Sequence, residues 1–434
     1  MVVFGASGSL ATKRLGPAIE KLASDKGRAR RIFAIGVDLK PATWALGKGR
    51  YAHIQADLTL GETYHALSST MRARLAQQRS DCTYYLATAP QLFPQIVEGL
   101  ENSGLDRAGT TRRILVEKPF GTSLGASREL QKQLDHAFGG ARVYRVDHFL
   151  AKVGFGEIVG TRHASAELEE ALNRNCVDHV QLMADEDLGV EGRASFYDRV
   201  GVMRDMVQSH MLQVLCQVAM DLPRSPSAER LDEARANLLK RVEPIQSDDV
   251  VWGQYSGYRS THGVGIGSRT PTFVALRLSV KNERWRGVPF YLRSGKRLRR
   301  NVTKAVIVFK KSLNLTVGRR RHRLGYLSFE IDPAPALAGG VSPPGGDEEA
   351  SATSMVPIWR KAPQDEYELL LDSALEDDHS HFVGERFNEL AWRLVDPPIK
   401  ALEEGRSGLR GYVAGTDGPA DSGRLLASSG RAWA

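Results

Sequence analysis

The segment Val2-Val3-Phe4-Gly5-Ala6-Ser7-Gly8-Ser9-Leu10 runs from an apolar strand into a turn with two glycines and then into a helical pattern. Gly5 and Gly8 let the backbone approach a bound group closely. The helix start behind them offers unpaired N–H groups and the positive end of a dipole. That is the chemistry of pyrophosphate recognition, with Gly5, Ala6, Ser7, Gly8, Ser9 and Leu10 as the candidate cradle of a dinucleotide. Two glycines instead of the full three-glycine fingerprint leave a purely structural tight turn as the alternative. Farther along, Asp147-His148 precedes Lys152, and His210 lies in a helical pattern. Histidine titrates near neutrality, so it can serve as a general base. Read alone, a histidine such as His210 is more often a core or surface residue, and His148 with Lys152 is an ordinary basic pair.

Such residues need elements to position them. Over residues 1 to about 148, Met1–Phe4, Arg31–Val37, Cys82–Ala87, Arg113–Glu117 and Arg142–Arg145 read as strands. Leu10–Ser24, Leu60–Gln78, Leu92–Asn102 and Gly125–Phe138 between them have helical spacing. This alternation predicts a parallel, doubly wound sheet. Beyond it, Met203–Ala219 and Ala228–Arg241 read as helical, and Thr272–Val280, Val288–Leu292 and Thr303–Phe309 as strands. Strands without regular intervening helices predict a largely antiparallel sheet. The Gly/Pro/Ala/Ser-rich stretch Pro333–Met355 reads as a flexible loop, with helical patterns resuming at Asp365. The expected architecture is α/β followed by α+β. It comprises a Rossmann-type dinucleotide-binding domain over 1–148 and a larger domain, mostly antiparallel sheet with helices, over 149–434.

Composition narrows the class. The 434 residues are 42% hydrophobic and 25% charged, ordinary for a globular chain with room for two or three domains. No run of about 18 apolar residues suggests a membrane span, and the opening residues read as a strand instead of a signal peptide. Three scattered cysteines, Cys82, Cys176 and Cys216, argue against a disulfide framework or a cysteine zinc site. A cytoplasmic protein without a metal centre is expected. The formal charge of +8 includes the run Arg319-Arg320-Arg321-His322-Arg323. Nucleic-acid binding is one reading of such a run; a solvated basic loop is the one preferred here, because no aromatic-and-basic repeat, zinc finger or helix-turn-helix accompanies it. A modest positive field would equally recruit a small anion and a dinucleotide.

Four further segments are specific. They are Glu117-Lys118-Pro119-Phe120-Gly121; Tyr144-Arg145-Val146-Asp147-His148-Phe149-Leu150-Ala151-Lys152; Gly189-Val190-Glu191-Gly192-Arg193 continuing through Arg204-Asp205-Met206-Val207-Gln208-Ser209-His210-Met211-Leu212-Gln213; and Arg284-Trp285-Arg286-Gly287-Val288-Pro289-Phe290-Tyr291-Leu292-Arg293-Ser294-Gly295-Lys296-Arg297. In this order and spacing the chain resembles the glucose-6-phosphate dehydrogenases. Tyr367–Asp372 and Ala391–Asp396 add to the likeness. The resemblance implies oxidation of glucose 6-phosphate at carbon 1 to 6-phosphogluconolactone, with hydride transfer to NADP, as in the pentose phosphate pathway. It implies His210 as the base for the carbon-1 hydroxyl and Asp147 as the carboxylate orienting its imidazole. His148 and Lys152 match phosphate-binding positions, Lys118 and Lys296 match positions that contact substrate, and Arg300 adds to them. Glu186 and Asp205 match carboxylates that hold sugar hydroxyls. Lys118 and Pro119 fall beside the nicotinamide, where a cis bond fits Pro119. Ala89-Pro90 stands where a Pro-Pro pair is usual in the nicotinamide-side loop. A homodimer or homotetramer, paired through the large sheet of the second domain, is implied in the same way.

The departures from the family pattern bear on function. Ser9 replaces an Asp in the glycine turn. Gly36-Val37-Asp38-Leu39 replaces glycine, a variable residue, alanine and the arginine that clasps the ribose 2′-phosphate of NADP. An acid at the end of the second strand favours a 2′-hydroxyl over a 2′-phosphate. At 4 Å the repulsion between two unit charges is about 1 to 4 kcal/mol. This change predicts a weakened NADP preference and makes NAD a further candidate, while the resemblance still implies NADP, and Lys13, Arg14 and Lys40 are cations near enough in sequence to compensate. Phe149 replaces a tyrosine and loses one hydroxyl donor, worth about 0.5 to 1.5 kcal/mol. Ala151 and Val153 replace the glycine and glutamate flanking Lys152. Two other readings stay open: a dehydrogenase for a related hexose phosphate such as glucosamine 6-phosphate, and a catalytically quiet regulatory homologue.

Overall fold

The computed structural model describes residues 1–24, 32–42, 44, 46, 50–75, 81–105, 111–317, 320–342 and 356–434. The chain forms two compact units. One comprises Met1–Ala151 with Asp365–Glu385, the other Lys152–Gln364 with Arg386–Ala434.

The first unit is built on six parallel strands: β1 Val2–Phe4, β2 Ala34–Asp38, β3 Tyr51–Gln55, β4 Cys82–Leu86, β5 Arg112–Glu117 and β6 Val143–Val146. Their order is β3-β2-β1-β4-β5-β6. The direction of winding reverses between β1 and β4, the place where doubly wound sheets bind dinucleotides. Val2, Val3 and Phe4 are all buried because helices cover both faces. The edge strand β3 has no counterpart among the strands expected from sequence. Its residues Tyr51-Ala52-His53-Ile54-Gln55 are only half buried and carry no apolar run. The strand expected at Arg31–Val37 is Ala34–Asp38, with Arg31 outside the described residues. The helix expected at Leu60–Gln78 is described over Gly61–Leu75.

A segment distant in sequence completes this unit. Helix Glu366–Leu375 packs against helix Gly16–Ser24. It brings Tyr367, Leu370, Leu371 and Ala374 into one core with Val3, Leu15, Ile19, Tyr85 and Leu115. The apolar spacing i, i+3, i+4, i+7 demands a covering surface, but nothing in it says that the surface is the first sheet. This stretch lies within the expected second domain, 149–434, yet packs with the first compact unit. The segment is tied down where Arg113 Nε and Nη2 donate to the Asp377 carboxylate at 2.6 and 2.8 Å and where Val383 N–H donates to Arg145 O at 3.0 Å. The Arg113 guanidinium holds the Asp377 carboxyl below its ordinary range. A carboxyl so depressed contributes stability that is complete above its unfolded value near pH 4 and is lost as pH falls through the folded value. Asp377→Asn keeps a residue tolerant of the local φ of 57° and is expected to cost about 1 kcal/mol, discounted because Asp377 is half exposed. Thermal melts at pH 7 and pH 3 check this, because the cost should shrink at the lower pH.

The second unit holds a nine-stranded sheet in the order β14-β13-β12-β11-β7-β10-β9-β8-β15. The strands are β7 Val177–Asp185, β8 Val250–Tyr255, β9 Phe273–Leu278, β10 Phe290–Gly295, β11 Val302–Val317, β12 Arg320–Asp332, β13 Ala336–Gly340, β14 Val356–Arg360 and β15 Leu409–Tyr412. Pairing is antiparallel except at β7–β10 and β8–β15, so the mostly antiparallel expectation holds. One face is apolar and buried, with Val180, Leu182, Leu276, Leu292, Ile307 and Phe329. Helix Val153–Ala164 packs on β12, so closely that a Cβ on Gly154 would lie 2.6 Å from Ile331 Cα. Trp285 is fully buried, and its indole N–H donates to Ala219 O at 2.7 Å.

Two local expectations are corrected. Within Pro333–Met355, read as a loop, Ala336–Gly340 is a strand paired with β12, and 343–355 lie outside the described residues. Its alanines and glycines suit a place where a Cβ on Gly339 would come 2.8 Å from Tyr326 O, and that small-residue composition imitates a loop. The basic run is likewise not a loop: Arg320, Arg321, His322 and Arg323 belong to β12, with Arg319 outside the described residues. Among the described residues no helix is long and apolar enough to cross a membrane.

Candidate active site

At the switch point the glycine turn is fixed by its neighbours. Gly5 has φ +84°, and a Cβ there would lie 2.5 Å from Ala87 O, so glycine is required by conformation and by space. Gly5 N–H donates to Val37 O at 2.9 Å and Gly8 N–H to Gly5 O at 3.0 Å. Ser9 and Leu10 then open a helix that passes through a π-helical turn, Ala11–Leu15, into Gly16–Ser24. Asp38, at the end of β2, accepts from both the Ser7 backbone N–H (2.9 Å) and the Ser7 hydroxyl (2.8 Å) through Oδ2. The acid therefore braces the turn as well as placing negative charge beside it. Leu39 is 60% exposed, and Lys13, Arg14 and Lys40 are exposed cations. After β4, Ala89 is extended and Pro90 starts a short 3-10 turn leading into helix Phe93–Asn102.

The carboxyl ends of β5 and β6 carry the next cluster. Glu117 ends β5, and the Lys118-Pro119 bond after it is cis. Glu117 is buried and accepts from the Tyr85 hydroxyl at 2.6 Å; burial pushes its carboxyl up to about 7. Asp147 follows β6, is fully buried, and accepts from Phe149 N–H at 3.0 Å through Oδ1. That bond opens the 3-10 turn His148–Ala151. The His148 ring lies parallel to Tyr367, centroids 6.3 Å apart, with the Phe149 ring edge-on at 5.2 Å. Sequence reasoning assigned no role to Glu117, Tyr85 or Tyr367. Two of them lie in quoted motifs, but only folding brings residues 85, 117 and 367 together.

In the second unit, the Lys152 ammonium pairs with Asp332 at 2.8 Å and is nearly buried. His210 sits near the end of a π-helix, Met203–Met211, where the sequence predicts an ordinary helix. A π-helix closes i→i+5 bonds and recurs at functional positions. The five-residue spacing from Asp205 to His210 thus places both on successive turns of one side. Both are buried. Lys296, at the end of β10, pairs with Glu186, which follows β7, and lies 3.8 Å from the Asp205 carboxylate. Its ammonium also sits 5.3 Å over the Tyr197 ring. The structure therefore unites Glu186, Asp205 and Lys296. Arg300 is exposed, and its charge acts on Lys304. Lys118, Asp147 and His148 belong to the first unit; Lys152, Glu186, Asp205, His210, Lys296 and Arg300 to the second.

A doubly wound unit with a glycine turn at its switch point, joined in one chain to a large-sheet unit rich in buried charge, defines a nicotinamide-dinucleotide-dependent dehydrogenase. The chain belongs to the glucose-6-phosphate dehydrogenase family. Residues 37–154 match "Glucose-6-phosphate dehydrogenase, NAD binding domain" and residues 159–434 match "Glucose-6-phosphate dehydrogenase, C-terminal domain". The glucose-6-phosphate 1-dehydrogenase 1 of Mycobacterium tuberculosis (strain CDC 1551 / Oshkosh) is 33% identical, over 100% of this chain and 95% of the relative. The crystal structure of glucose-6-phosphate 1-dehydrogenase from Mycobacterium avium superposes with a TM-score of 0.82 at 31% identity, covering 100% of this chain and 97% of that one. A glucose-6-phosphate dehydrogenase in complex with its substrate glucose-6-phosphate gives a TM-score of 0.83 at 26% identity, covering 100% and 98%.

Proposed function

We infer that this protein is a glucose-6-phosphate 1-dehydrogenase using NADP, with His210 as base, Asp147 as its orienting carboxylate, and His148 and Lys152 on the substrate's phosphate. The observation that carries this reading is full-length membership of the family with all four of these residues in place. Oxidation at carbon 1 breaks the C1–H and O–H bonds and forms the lactone carbonyl. His210 takes the hydroxyl proton, and the role assigned to the Asp147 carboxylate is to orient and stabilise the resulting imidazolium. Glu186 and Asp205 accept from sugar hydroxyls, and Lys118, Lys296 and Arg300 contact the substrate. When bound, NADP supplies the hydride acceptor. Gly5, Ala6, Ser7, Gly8, Ser9 and Leu10 would hold its pyrophosphate, Asp38 would meet its ribose, and Ala89, Pro90, Lys118 and Pro119 would meet its nicotinamide. The turn would fit a pyrophosphate because a helix starts directly behind Gly8, at Ser9, with the positive end of its dipole toward the turn.

The test is absorbance at 340 nm with glucose 6-phosphate and NADP or NAD in parallel. Turnover with either supports the dehydrogenase, and no turnover with either, from folded protein, overturns it. Leu39→Arg supplies a guanidinium at an exposed position beside the ribose. It is expected to tighten NADP by about tenfold with little change for NAD, read as two dissociation constants. Equal changes for both would show that the residue does not face the 2′-phosphate.

A homodimer or homotetramer belongs to the same reading, through the large sheet of the second unit, and light scattering measures it. A cytoplasmic place is supported by three free cysteines, Cys82, Cys176 and Cys216.

A further inference from the structure

We propose that a recess beside Gly201 in the second unit is a binding site for a small anion with an apolar body, such as a medium-chain carboxylate. Its volume is about 250 Å³, and its lining includes none of the residues assigned above to the sugar phosphate or the dinucleotide. The recess lies where the chain changes direction between helix Ala194–Val202 and the π-helix Met203–Met211. Gly201 makes that change with φ 67° and ψ 168°, a conformation open to glycine and costly for other residues. The walls come from distant parts of the sequence. Val200 and Met203 flank the change of direction, Trp252 comes from β8, and Ile399 and Leu402 come from the end of helix Glu385–Glu403. All five side chains are buried. Val202 N–H donates to Pro271 O at 3.0 Å, and the Thr270 hydroxyl donates to Asp198 O at 2.5 Å. These bonds tie the walls to each other, so the recess is formed before a ligand arrives.

The rim carries the charge. Its two acids are already taken: Asp198 accepts from the Tyr258 hydroxyl at 2.8 Å and from Gly265 N–H at 3.0 Å, and Glu403 pairs with Arg204 at 2.8 Å. Arg199 and Arg269 also line the recess, are exposed, and pair with no carboxylate among the described residues. Arg199 gives one N–H to Ser195 O at 3.1 Å, which leaves most of its five donors for another acceptor. Small-molecule sites combine a mostly apolar wall with a few placed polar groups. Here the wall calls for a hydrocarbon or aromatic body, and the two guanidinium groups call for a carboxylate or phosphate head. A bare anion would leave the wall uncovered, and a neutral body would leave both cations without an acceptor.

Octanoate is the probe, with octanol as its uncharged counterpart and inorganic phosphate as an anion without an apolar body. Calorimetry on the full chain is expected to give octanoate a Kd at or below about 1 mM, octanol a Kd about tenfold higher, and phosphate no binding at those concentrations. Arg199→Gln and Arg269→Gln together are expected to weaken octanoate by about tenfold without moving octanol. Octanoate is also expected to quench tryptophan fluorescence, and Trp252→Phe to lose that quenching while calorimetric binding persists. The arginine variants change exposed positions and carry the test alone if Trp252→Phe does not fold. No octanoate binding, phosphate binding as tight as octanoate, an unchanged Kd in the arginine variants, or quenching that survives Trp252→Phe would each overturn the proposal. None of these measurements uses turnover of glucose 6-phosphate, so the dehydrogenase reading and this site stand or fall separately.

Discussion

His210→Asn is expected to slow oxidation of glucose 6-phosphate by about 10²–10⁴-fold in kcat while leaving KM nearly unchanged. The imidazole is 1% exposed on a π-helical turn whose residues are almost all buried. Such a wall does not rearrange around a side chain of similar size, and asparagine cannot take a proton from the sugar hydroxyl. The loss is therefore in the proton transfer and not in binding. Steady-state rates at 340 nm, with dissociation constants for substrate and NADP by calorimetry, separate the two. A kcat within tenfold of the parent, with binding intact, would assign the base elsewhere. Loss of nothing measurable would favour a catalytically quiet homologue.

Lys152→Ala is expected to raise KM for glucose 6-phosphate by about 10- to 100-fold, the range of one charge-assisted hydrogen bond to a phosphate, with kcat changed far less. Lys152 is nearly buried, and its ammonium is held by Asp332 at 2.8 Å. The cation is thus already stripped of most of its water and aimed before a phosphate arrives, which is what preorganisation requires. Asp332 is also a competitor for that ammonium, and Asp332→Asn is expected to move KM in the opposite direction, by a smaller factor. Measuring KM for both variants decides the point: equal KM for Lys152→Ala and the parent would remove Lys152 from the phosphate site.

Much of the first unit was legible because its signals are local. A strand ending at Phe4, a glycine turn and a helix are consecutive in the chain, and Gly5 stands where only glycine fits. The motifs around Asp147, His210 and Lys296 were legible for a similar reason: each is a short run of unusual residue types in a fixed order. Other features had no local signature. Tyr51–Gln55 carries no apolar run because it is an edge strand, and Ala336–Gly340 has a loop's composition although it pairs with β12, with space at Gly339 too tight for a Cβ.

The amino-acid sequence by itself determined the doubly wound start, the antiparallel character of the larger sheet, the family, and the residue types a base, a phosphate site and a dinucleotide cradle demand. The tertiary structure decided which distant pieces share a core. Tyr367, Leu370 and Leu371 join the first sheet although more than 200 residues separate them from β6, since an apolar helix face states that it must be covered without naming its partner. It also decided the π-helical path that puts Asp205 and His210 on one side, and the meeting of Glu186, Asp205 and Lys296 from two strand ends and a helix. Helix type and the convergence of charges depend on how neighbouring elements pack and on the pairing that offsets the cost of burying each charge. Those are properties of three-dimensional surroundings, which a linear pattern of residues does not carry.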